Sequence, residues 1–282
     1  MNVIPDPVPT VRLSPIARLM AGGKWRVEAM RSLREPLLLW FTAGQGRITI
    51  AGSTRGFGIH NAVFIPAGTM HGFETAGRVQ GTALYFGRGT ELPLPDSPQH
   101  LRVRMAGPQK ELTALLDAVQ RELEGDGVAR MRAVHHYLGL LTVWMERRML
   151  ESGHDSKTPA PRPDAAHRLA ARYTALVERD FRADMDVADF AAALGVTRTH
   201  LTRACKAACG RAAHELLQDR LHFEARRLLA ESDLPVKEVA RQLGFSSPAY
   251  FSRAFHHRTG MAPSVFRRSQ LRHTGPQAAG NA

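Results

Sequence analysis

The first part of the chain alternates short apolar runs with glycine or proline, a pattern typical of β-strands joined by tight turns. Between residues 13 and 86 the runs are about four to six residues long, with a turn signal about every eight to twelve residues. The clearest runs are residues 37–41, 48–50 and 62–65, the last of which ends at Pro66-Ala67-Gly68. This spacing predicts a small β-barrel or sandwich.

The apolar period changes to that of a helix near residue 108. The stripe of a first helix consists of Leu112, Leu115, Leu116, Val119 and Leu123. After a glycine break at residues 125–127, the stripe of a second helix consists of Met131, Val134, Leu138, Leu141 and Met145. We expect these helices to form a dimerisation surface outside the barrel. The alternative is that they cover the core of the barrel.

A proline-rich segment follows the second helix. Three prolines alternate with other residues up to Pro163, which disfavours helix and favours an extended spacer. Beyond it the apolar spacing is helical to about residue 270. We therefore predict five regions: an effector-sensing β domain at 1–106, a helical dimerisation region at 107–150, a linker at 151–163, a helical domain at 164–271 and a disordered tail at 272–282.

The helical domain contains an internal repeat. The first copy carries Ala191, Leu194, Gly195, Arg203 and Gly210. The second copy carries Ala240, Leu243, Gly244, Arg253 and Gly260. The offset is 49 residues up to the turn glycine and 50 beyond it, so the second copy has one extra residue in its turn. Two copies in register favour tandem helix-turn-helix units over an ordinary helical bundle.

Each repeated residue type suits a helix-turn-helix unit. A small residue such as Ala191 or Ala240 lets the two helices cross closely, and the turn glycine adopts a left-handed conformation at little cost. Thr197 and either Ser246 or Ser247 are suitable N-caps for the second helix of each unit. The expected core of the first unit is Val187, Phe190, Leu194 and Leu201, and that of the second is Val236, Val239, Leu243 and Phe251.

Two further features concern DNA. Arg203 and Arg253 take matching outward positions, where a bidentate contact to guanine is possible. Residues 213–231 predict one long helix between the copies, which would hold the two units at a fixed separation. One turn of DNA is about 34 Å long, so both units can enter successive major grooves on one face.

Composition indicates less about function than the internal repeat does. The net charge of +12 suggests an acidic partner such as nucleic acid. However, residues 164–282 carry 18 Lys or Arg against 12 Asp or Glu, and residues 1–163 carry 20 against 14, so each part has a net charge of +6. Charge alone therefore does not locate a DNA-binding face. Without a secretory signal, a long apolar run or a disulfide framework, we expect a cytoplasmic protein.

The helical domain resembles the AraC/XylS family of bacterial transcription regulators over about a hundred residues. The resemblance is carried by Arg220-Leu221, Ala225, Leu228-Leu229, Val239-Ala240, Gly244-Phe245, Tyr250-Phe251-Ser252-Arg253, Phe255, Gly260, Pro263 and Phe266-Arg267. It implies promoter binding through two adjacent major grooves, and activation through RNA polymerase.

The resemblance also implies, by position, which residues contact DNA. In the first unit it points to Arg198, Thr199, Thr202 and Arg203. In the second it points to Ser247, Pro248, Ala249, Ser252 and Arg253. Lys206, His256 and His257 would lie nearer the phosphates.

Two residues depart from the family pattern. Cys205 stands where the second copy has Phe255, which makes the first core smaller. Pro248 and Ala249 offer no hydrogen bond to a base, so the second unit would contact thymine methyl groups and use Arg253. We therefore expect most base recognition in the first unit.

The N-terminal strands resemble the cupin-like sensing domain of the same family, most clearly at residues 64–71. The expected fold is thus a two-domain chain, with an all-β cupin-like barrel and appended helices before an all-α tandem helix-turn-helix domain. A small-molecule effector would bind inside the barrel. From alternation and composition, its candidate lining is Trp40, His60, His71, Phe73 and Tyr85; Arg47, Arg78 or Arg88 are candidates to pair with an acidic effector.

A catalytic or small-molecule-binding cupin, with the helical region serving assembly, is the alternative class. Metal-dependent cupins need a His-x-His pair, a Glu and a further His, whereas the strand region 13–86 offers only His60 and His71. We therefore predict no metal, no cofactor and no catalytic residue. Cys205 and Cys209, four residues apart, invite a redox sensor, but burial as small apolar side chains is the expected state.

Overall fold

The computed structural model describes residues 11–20, 25–89, 91–154, 164–182 and 184–273. A β-rich part comes first and a helical part follows, as the sequence predicts. The β-rich part consists of β1 (Arg12–Pro15), α1 (Ile16–Leu19), α2 (Trp25–Glu28), β2 (Leu37–Ala43), β3 (Gly46–Ile50), β4 (Ser53–Phe57), β5 (Asn61–Ile65), β6 (His71–Thr75), β7 (Gln80–Tyr85), β8 (Gln99–Arg102), α3 (Ala106–Glu124) and α4 (Arg130–His154).

The strands form two antiparallel sheets rather than the closed barrel that we expected. One sheet has the order β1-β7-β2-β5-β8, and the other has the order β4-β3-β6. The alternation of apolar residues shows which face of a strand is buried, but it does not show whether the edge strands of two sheets join. The two sheets face each other across a core in which Phe41 stacks on Phe57 at 4.1 Å and Phe73 meets both rings edge-on.

Strand β2 is buried on both faces because two layers cover it. Leu37, Leu39 and Phe41 point into the core between the sheets. Leu38 and Trp40 point to the opposite face, which α3 and α4 cover. This double burial explains why residues 37–41 are continuously apolar instead of alternating.

The apolar stripes of α3 and α4 pack against this sheet within the same chain. Covering the core of the β-rich part, which was the alternative to dimerisation, therefore accounts for most of the stripe residues. Leu112, Leu116 and Val119 are buried there, as are Val134, Leu138, Leu141 and Met145. Met131 is the exception, with 48% of its surface exposed. Dimerisation through these helices stays a prediction, and the buried stripes do not provide its surface.

The helical part has the predicted connector and both helix pairs. Its elements are α5 (Ala165–Asp180), α6 (Val187–Ala193), α7 (Arg198–Cys209), α8 (Ala213–Glu231), α9 (Val236–Gln242), α10 (Pro248–Thr259) and α11 (Pro263–His273). Two boundaries differ from the prediction. Helix α4 continues to His154, four residues into the expected linker, and α11 continues to His273, two residues into the expected tail. The remainder of both segments, 155–163 and 274–282, lies outside the described residues.

Two apolar cores lie side by side along α8. Ala213, Leu216 and Leu217 on its first half pack with α5, α6 and α7. Leu221, Ala225 and Leu229 on its second half pack with α9, α10 and α11. A single helix therefore carries both units. In the part of the chain that the structure describes, no helix is long and apolar enough to cross a membrane.

Candidate nucleic-acid interface

The first helix-turn-helix unit consists of α6, a tight turn and α7. Asp186 caps α6 by accepting the backbone N–H groups of Ala188 and Asp189, at 2.6 and 3.0 Å. Gly195 takes the left-handed conformation in the turn (φ +70°), and the Thr197 hydroxyl caps α7 by accepting the His200 N–H at 3.2 Å. The predicted turn glycine and N-cap of this unit are both confirmed.

The outer face of α7 presents the side chains that the sequence predicts to contact DNA. Arg198, Thr199, Arg203 and Lys206 are exposed, and Thr202 is half-buried. All five line an open groove of about 620 Å³, which Val187 and His214 complete. His214 was not among the predicted contacts, because it belongs to α8 and only the fold brings it beside α7.

The second unit repeats this geometry with α9 and α10. Gly244 is left-handed (φ +78°), and of the two candidate serines Ser247 is the N-cap, accepting the Tyr250 N–H at 3.1 Å. Pro248 occupies the first turn of α10, where its missing N–H costs no hydrogen bond. The core rings Phe251 and Phe255 are both 1% exposed and lie 5.8 Å apart.

The outer face of α10 is less polar near its N-terminus than that of α7. Pro248, Ala249, Arg253, His256 and His257 are exposed, whereas Ser247 and Ser252 are half-buried. Tyr250, which was not among the predicted contacts, is 50% exposed beside them and lies 5.8 Å from the Phe245 ring. This face thus offers a methyl, a proline ring and an aromatic ring before its first guanidinium group.

The guanidinium groups on these faces are available to a ligand. Arg198, Arg203 and Arg253 have no carboxylate within ion-pair distance among the described residues. Some exposed arginines elsewhere in the domain are paired, as Arg241 is with Glu238 at 2.6 Å. Unpaired guanidinium groups on an exposed helix face can donate to base edges or to phosphate oxygens.

A buried ion pair fixes α8 against α5. Arg220, with its side chain 6% exposed, donates to Glu178 at 2.6 Å and to Glu224 at 3.1 Å. Its guanidinium also stacks over the Phe181 ring at 3.9 Å. Near the start of α8, the Tyr173 hydroxyl donates to the Ala213 carbonyl at 2.8 Å. These contacts hold α8 firmly against α5.

The five residues predicted to line an effector site lie in three places. Trp40 stacks on His60 at 5.9 Å, on the sheet face that α3 and α4 cover. Phe73 and Tyr85 belong to the core between the two sheets. His71 lies at the boundary with the helical domain, between Met70 and Gly72. Their role as effector ligands stays a prediction, and the structure does not gather them into one cavity.

His71 is buried in a cationic environment. Its Nδ1 atom donates to the Thr69 carbonyl at 2.9 Å, and its Nε2 atom has no hydrogen-bond partner among the described residues. Burial, followed by the nearby Arg31 guanidinium, lowers the pKa of His71 to about 3. The imidazole is therefore neutral at physiological pH.

The β-rich domain contacts both units directly. Met30 and Met70 join the core of the first unit, and the Thr54 hydroxyl donates to the Cys209 carbonyl at 3.3 Å. Trp25 packs at 5.8 Å from Phe223 and 5.9 Å from Phe266 in the second unit. A cavity of about 170 Å³ remains between the β-rich domain and the first unit, lined among others by Arg47, Glu28, Glu74, Thr49 and Arg211.

Neither cysteine is exposed on the outer face of α7. Both are buried in the first core, and the Cys209 thiol donates to the Cys205 carbonyl at 3.2 Å. Burial, followed by the Cys209 thiol, raises the pKa of Cys205 to about 12. Within the described ranges, no group of three or more His, Cys, Asp or Glu side chains is placed to hold a metal ion.

The helical domain matches known regulators. A family model described as a helix-turn-helix domain matches residues 190–269. An AraC-like transcription regulator of Streptomyces antibioticus is 27% identical over 183 residues, which cover 64% of this chain and 60% of the relative. The HTH-type transcriptional regulator MtrA of Neisseria gonorrhoeae is 23% identical over 277 residues, which cover 88% of this chain and 91% of the relative.

Similarity also extends to a solved structure. ToxT from Vibrio cholerae aligns over 92% of this chain and 97% of its own, with a TM-score of 0.43 and 11% sequence identity. For the first curated relatives that it matches, the chain spans 35% of the length or less.

Proposed function

Because the chain belongs to the AraC/XylS family of transcription regulators, we propose that it binds promoter DNA with α7 and α10 in successive major grooves. The equivalence of the two helices carries this proposal. Each begins at a hydroxyl N-cap and exposes an unpaired arginine six residues later. The 19 residues of α8 span about 28 Å at 1.5 Å per residue, close to the ~34 Å of one DNA turn.

The contacts divide between the two units. Arg198, Thr199, Thr202 and Arg203 would contact base edges, since together they supply donors and acceptors along one groove-sized face. The second unit would use Ser252 and Arg253 with the apolar surface of Pro248 and Ala249. Lys206, Ser247, His256 and His257 would then contact phosphates or the neighbouring sugars.

We propose further that a small molecule controls this binding from the β-rich domain, which would be a cupin-like sensing domain with two facing sheets. A change in that domain would reach both units through the contacts of Thr54 and Trp25. A thermal-shift screen tests this part of the proposal. A compound that raises the melting temperature and changes promoter affinity supports it; a chain that regulates by abundance alone would show neither effect.

The chain would act as an activator through RNA polymerase, in the cytoplasm and as a homodimer. The exposed apolar residues Leu140, Val143 and Leu150 lie on the side of α4 that faces away from the sheet. They are a more suitable dimer surface than the buried stripe. Sedimentation of the wild type and of Leu140→Arg tests the dimer, and in vitro transcription with polymerase tests the sign of regulation.

We also propose that the chain has no catalysis of its own. A catalytic cupin whose helical region serves assembly would bind a transition metal or turn over a substrate without DNA. Metal analysis and turnover assays of the purified chain therefore separate the two classes. Stoichiometric metal, or turnover lost on removing it, would contradict the proposal.

Gel shift and footprinting with the full chain test the main proposal. DNA from the native locus should be bound about a thousandfold or more tightly than random DNA at physiological salt, and the footprint should cover two adjacent major grooves on one face. Equal affinity for both DNAs would exclude sequence-specific regulation. Protection of a single groove would restrict recognition to one unit.

A further inference from the structure

Asp219 lies on α8 between the two helix-turn-helix units and pairs with one arginine from each. Its Oδ2 atom pairs with Arg211, in the turn that follows α7. Its Oδ1 atom accepts from Arg258, near the end of α10, at 2.7 Å. The carboxylate is 10% exposed, whereas the Arg211 and Arg258 side chains are 25% and 50% exposed.

The position of Asp219 along α8 gives this bridge its significance. The first core ends on α8 at Leu217, and the second core begins at Leu221. Each unit therefore packs on its own half of the helix, and Asp219 lies at the division. Helix α8 fixes the distance between the units along its axis. It does not by itself prevent each unit from tilting about its own half, because long helices bend.

A carboxylate held between two guanidinium groups opposes such tilting. If either unit rotates away, one charge-assisted hydrogen bond is lost in a largely buried site, where an unpaired charge is costly. Arg258 lies on the face of α10 opposite Arg253, because five residues separate them along the helix. The bridge therefore acts on the back of α10 and leaves its outer face free for DNA.

Other basic groups surround this bridge. His222 lies about one turn and Arg226 about two turns after Asp219 on α8, and His257 precedes Arg258. His222 is kept neutral by burial, followed by Arg258 and Arg226, which lower its pKa to about 4. Without the Asp219 charge, Arg211, Arg226 and Arg258 would repel one another and separate the two units.

We propose that Asp219 is a positioning residue that sets the separation and rotation between α7 and α10, and thereby the half-site spacing that the protein accepts. The inference rests on the proposed function, in which both units bind DNA together. Its predicted consequence is specific. A weakened bridge changes the preference for spacing, while the preference for bases within each half-site stays the same.

An operator series tests this inference with the full chain. The bound promoter site is synthesised with its half-sites at the native spacing and with one or two base pairs inserted or removed. Each base pair rotates one half-site by about 34° relative to the other. We expect wild-type affinity to fall about tenfold for a one-base-pair change, a difference of ~1.4 kcal/mol. Asp219→Asn should reduce that difference to about threefold or less, or move the optimum to another spacing.

Four further variants make the test decisive. Arg258→Gln and Arg211→Gln remove partly exposed partners, and they replace Asp219→Asn should that variant fail to fold, as circular dichroism would show. Arg258→Lys keeps a charge and should restore part of the discrimination. Arg241→Gln removes an arginine whose ion pair lies within α9, and its spacing profile should match the wild type.

The outcomes separate the inference from the proposed function. A wild type that binds one half-site as tightly as two would refute binding by both units, and the inference with it. A wild type that needs both half-sites, with Asp219→Asn and Arg258→Gln keeping its spacing profile, would overturn the inference alone. Loss of base preference within a half-site, without a change in spacing preference, would also overturn it.

Discussion

Arg203 and Arg253 occupy the same position in the two units, each six residues after its N-cap, Thr197 or Ser247. The turn glycines Gly195 and Gly244 differ by 49 residues in number, whereas the N-caps differ by 50. The extra residue of the second unit therefore lies between Gly244 and Ser247, and the turn absorbs it before α10 begins. Both guanidinium groups reach the surface in equivalent positions.

Replacing Arg203 with alanine should weaken binding to the specific promoter site by about 1–3 kcal/mol and relax preference at one base position. The reason is the loss of a bidentate contact, which discriminates among bases as well as binding them. Titration against a library with each position varied measures both effects. Arg253→Ala is the matched control in the second unit, and there we expect a smaller change in base preference.

An equal loss of affinity on specific and random DNA would show that Arg203 contacts a phosphate instead of a base. In that case the slope of log affinity against log salt concentration should also fall in magnitude by about 0.9.

Arg220 and Arg241 each pair with glutamate in the helical domain, but their surroundings differ. Arg220→Ala should lower the free energy of unfolding by about 3 kcal/mol, because it removes the buried arginine partner of Glu178, takes one of its two arginines from Glu224 and removes the stack on Phe181. Arg241→Ala should change it little, because solvent screens the exposed pair with Glu238. Urea titration of both variants checks this contrast, and similar losses would contradict it.

The helical domain was predictable in detail because its signals are local. An alanine at a helix crossing, a glycine in a left-handed turn and a hydroxyl N-cap each act within a few residues, and two copies show the pattern twice. The sheets were less predictable, because hydrogen bonding between edge strands is not recorded in the alternation of any one strand. A strand buried on both faces, such as β2, is continuously apolar. Its sequence therefore does not show which layer each side chain contacts.

The residues that link distant elements could not be inferred at all. Asp219, Arg211 and Arg258 look like ordinary surface charges in the sequence, and their bridge spans 39 residues between Asp219 and Arg258. His214 and Trp25 gain their contacts only when α7, α8 and α11 are packed. Long-range pairing of this kind leaves no periodic signal in a single sequence.

The two thiols should be unreactive in the folded protein. Cys205 and Cys209 are 0% and 6% exposed, and burial raises the pKa of both, so little thiolate forms at neutral pH. Iodoacetamide at pH 7.5 should modify neither residue until denaturant is added, as intact mass shows. A native adduct or a native disulfide would instead favour the redox-sensor alternative.

His71 should make stability depend on pH in the acid range. Its pKa is about 3 when folded and about 6.5 when unfolded, so the unfolded chain binds the extra proton between these values. The contribution of neutral His71 to the free energy of unfolding is therefore fully present above pH 6.5. It decreases by about 1.4 kcal/mol per pH unit as the pH falls toward 3. Denaturant titrations at pH 5 and 7 should show a smaller difference in His71→Gln than in the wild type. An unchanged difference would mean that His71 is not buried.

Trp25 should hold the β-rich domain against the second unit. Its ring lies against Phe223 and Phe266, with the Arg226 guanidinium 5.4 Å from the ring centroid. Arg26 beside it contacts Gln270 at 3.4 Å. Trp25→Ala removes the large apolar side chain from this contact. The contact between the domains should therefore be weaker by about 1–3 kcal/mol, and the domains should separate more readily.

Small-angle scattering should then give a larger radius of gyration for Trp25→Ala than for the wild type. Trp40 and Trp144 are each 2% exposed or less and lie in the core that α3 and α4 share with the sheet, so their fluorescence should keep its wild-type emission maximum. The variant should also lose the dependence of promoter affinity on any effector found by thermal shift, while the wild type keeps it. If the radius and the effector response both match the wild type, the signal from the β-rich domain travels instead through Thr54 and the first unit.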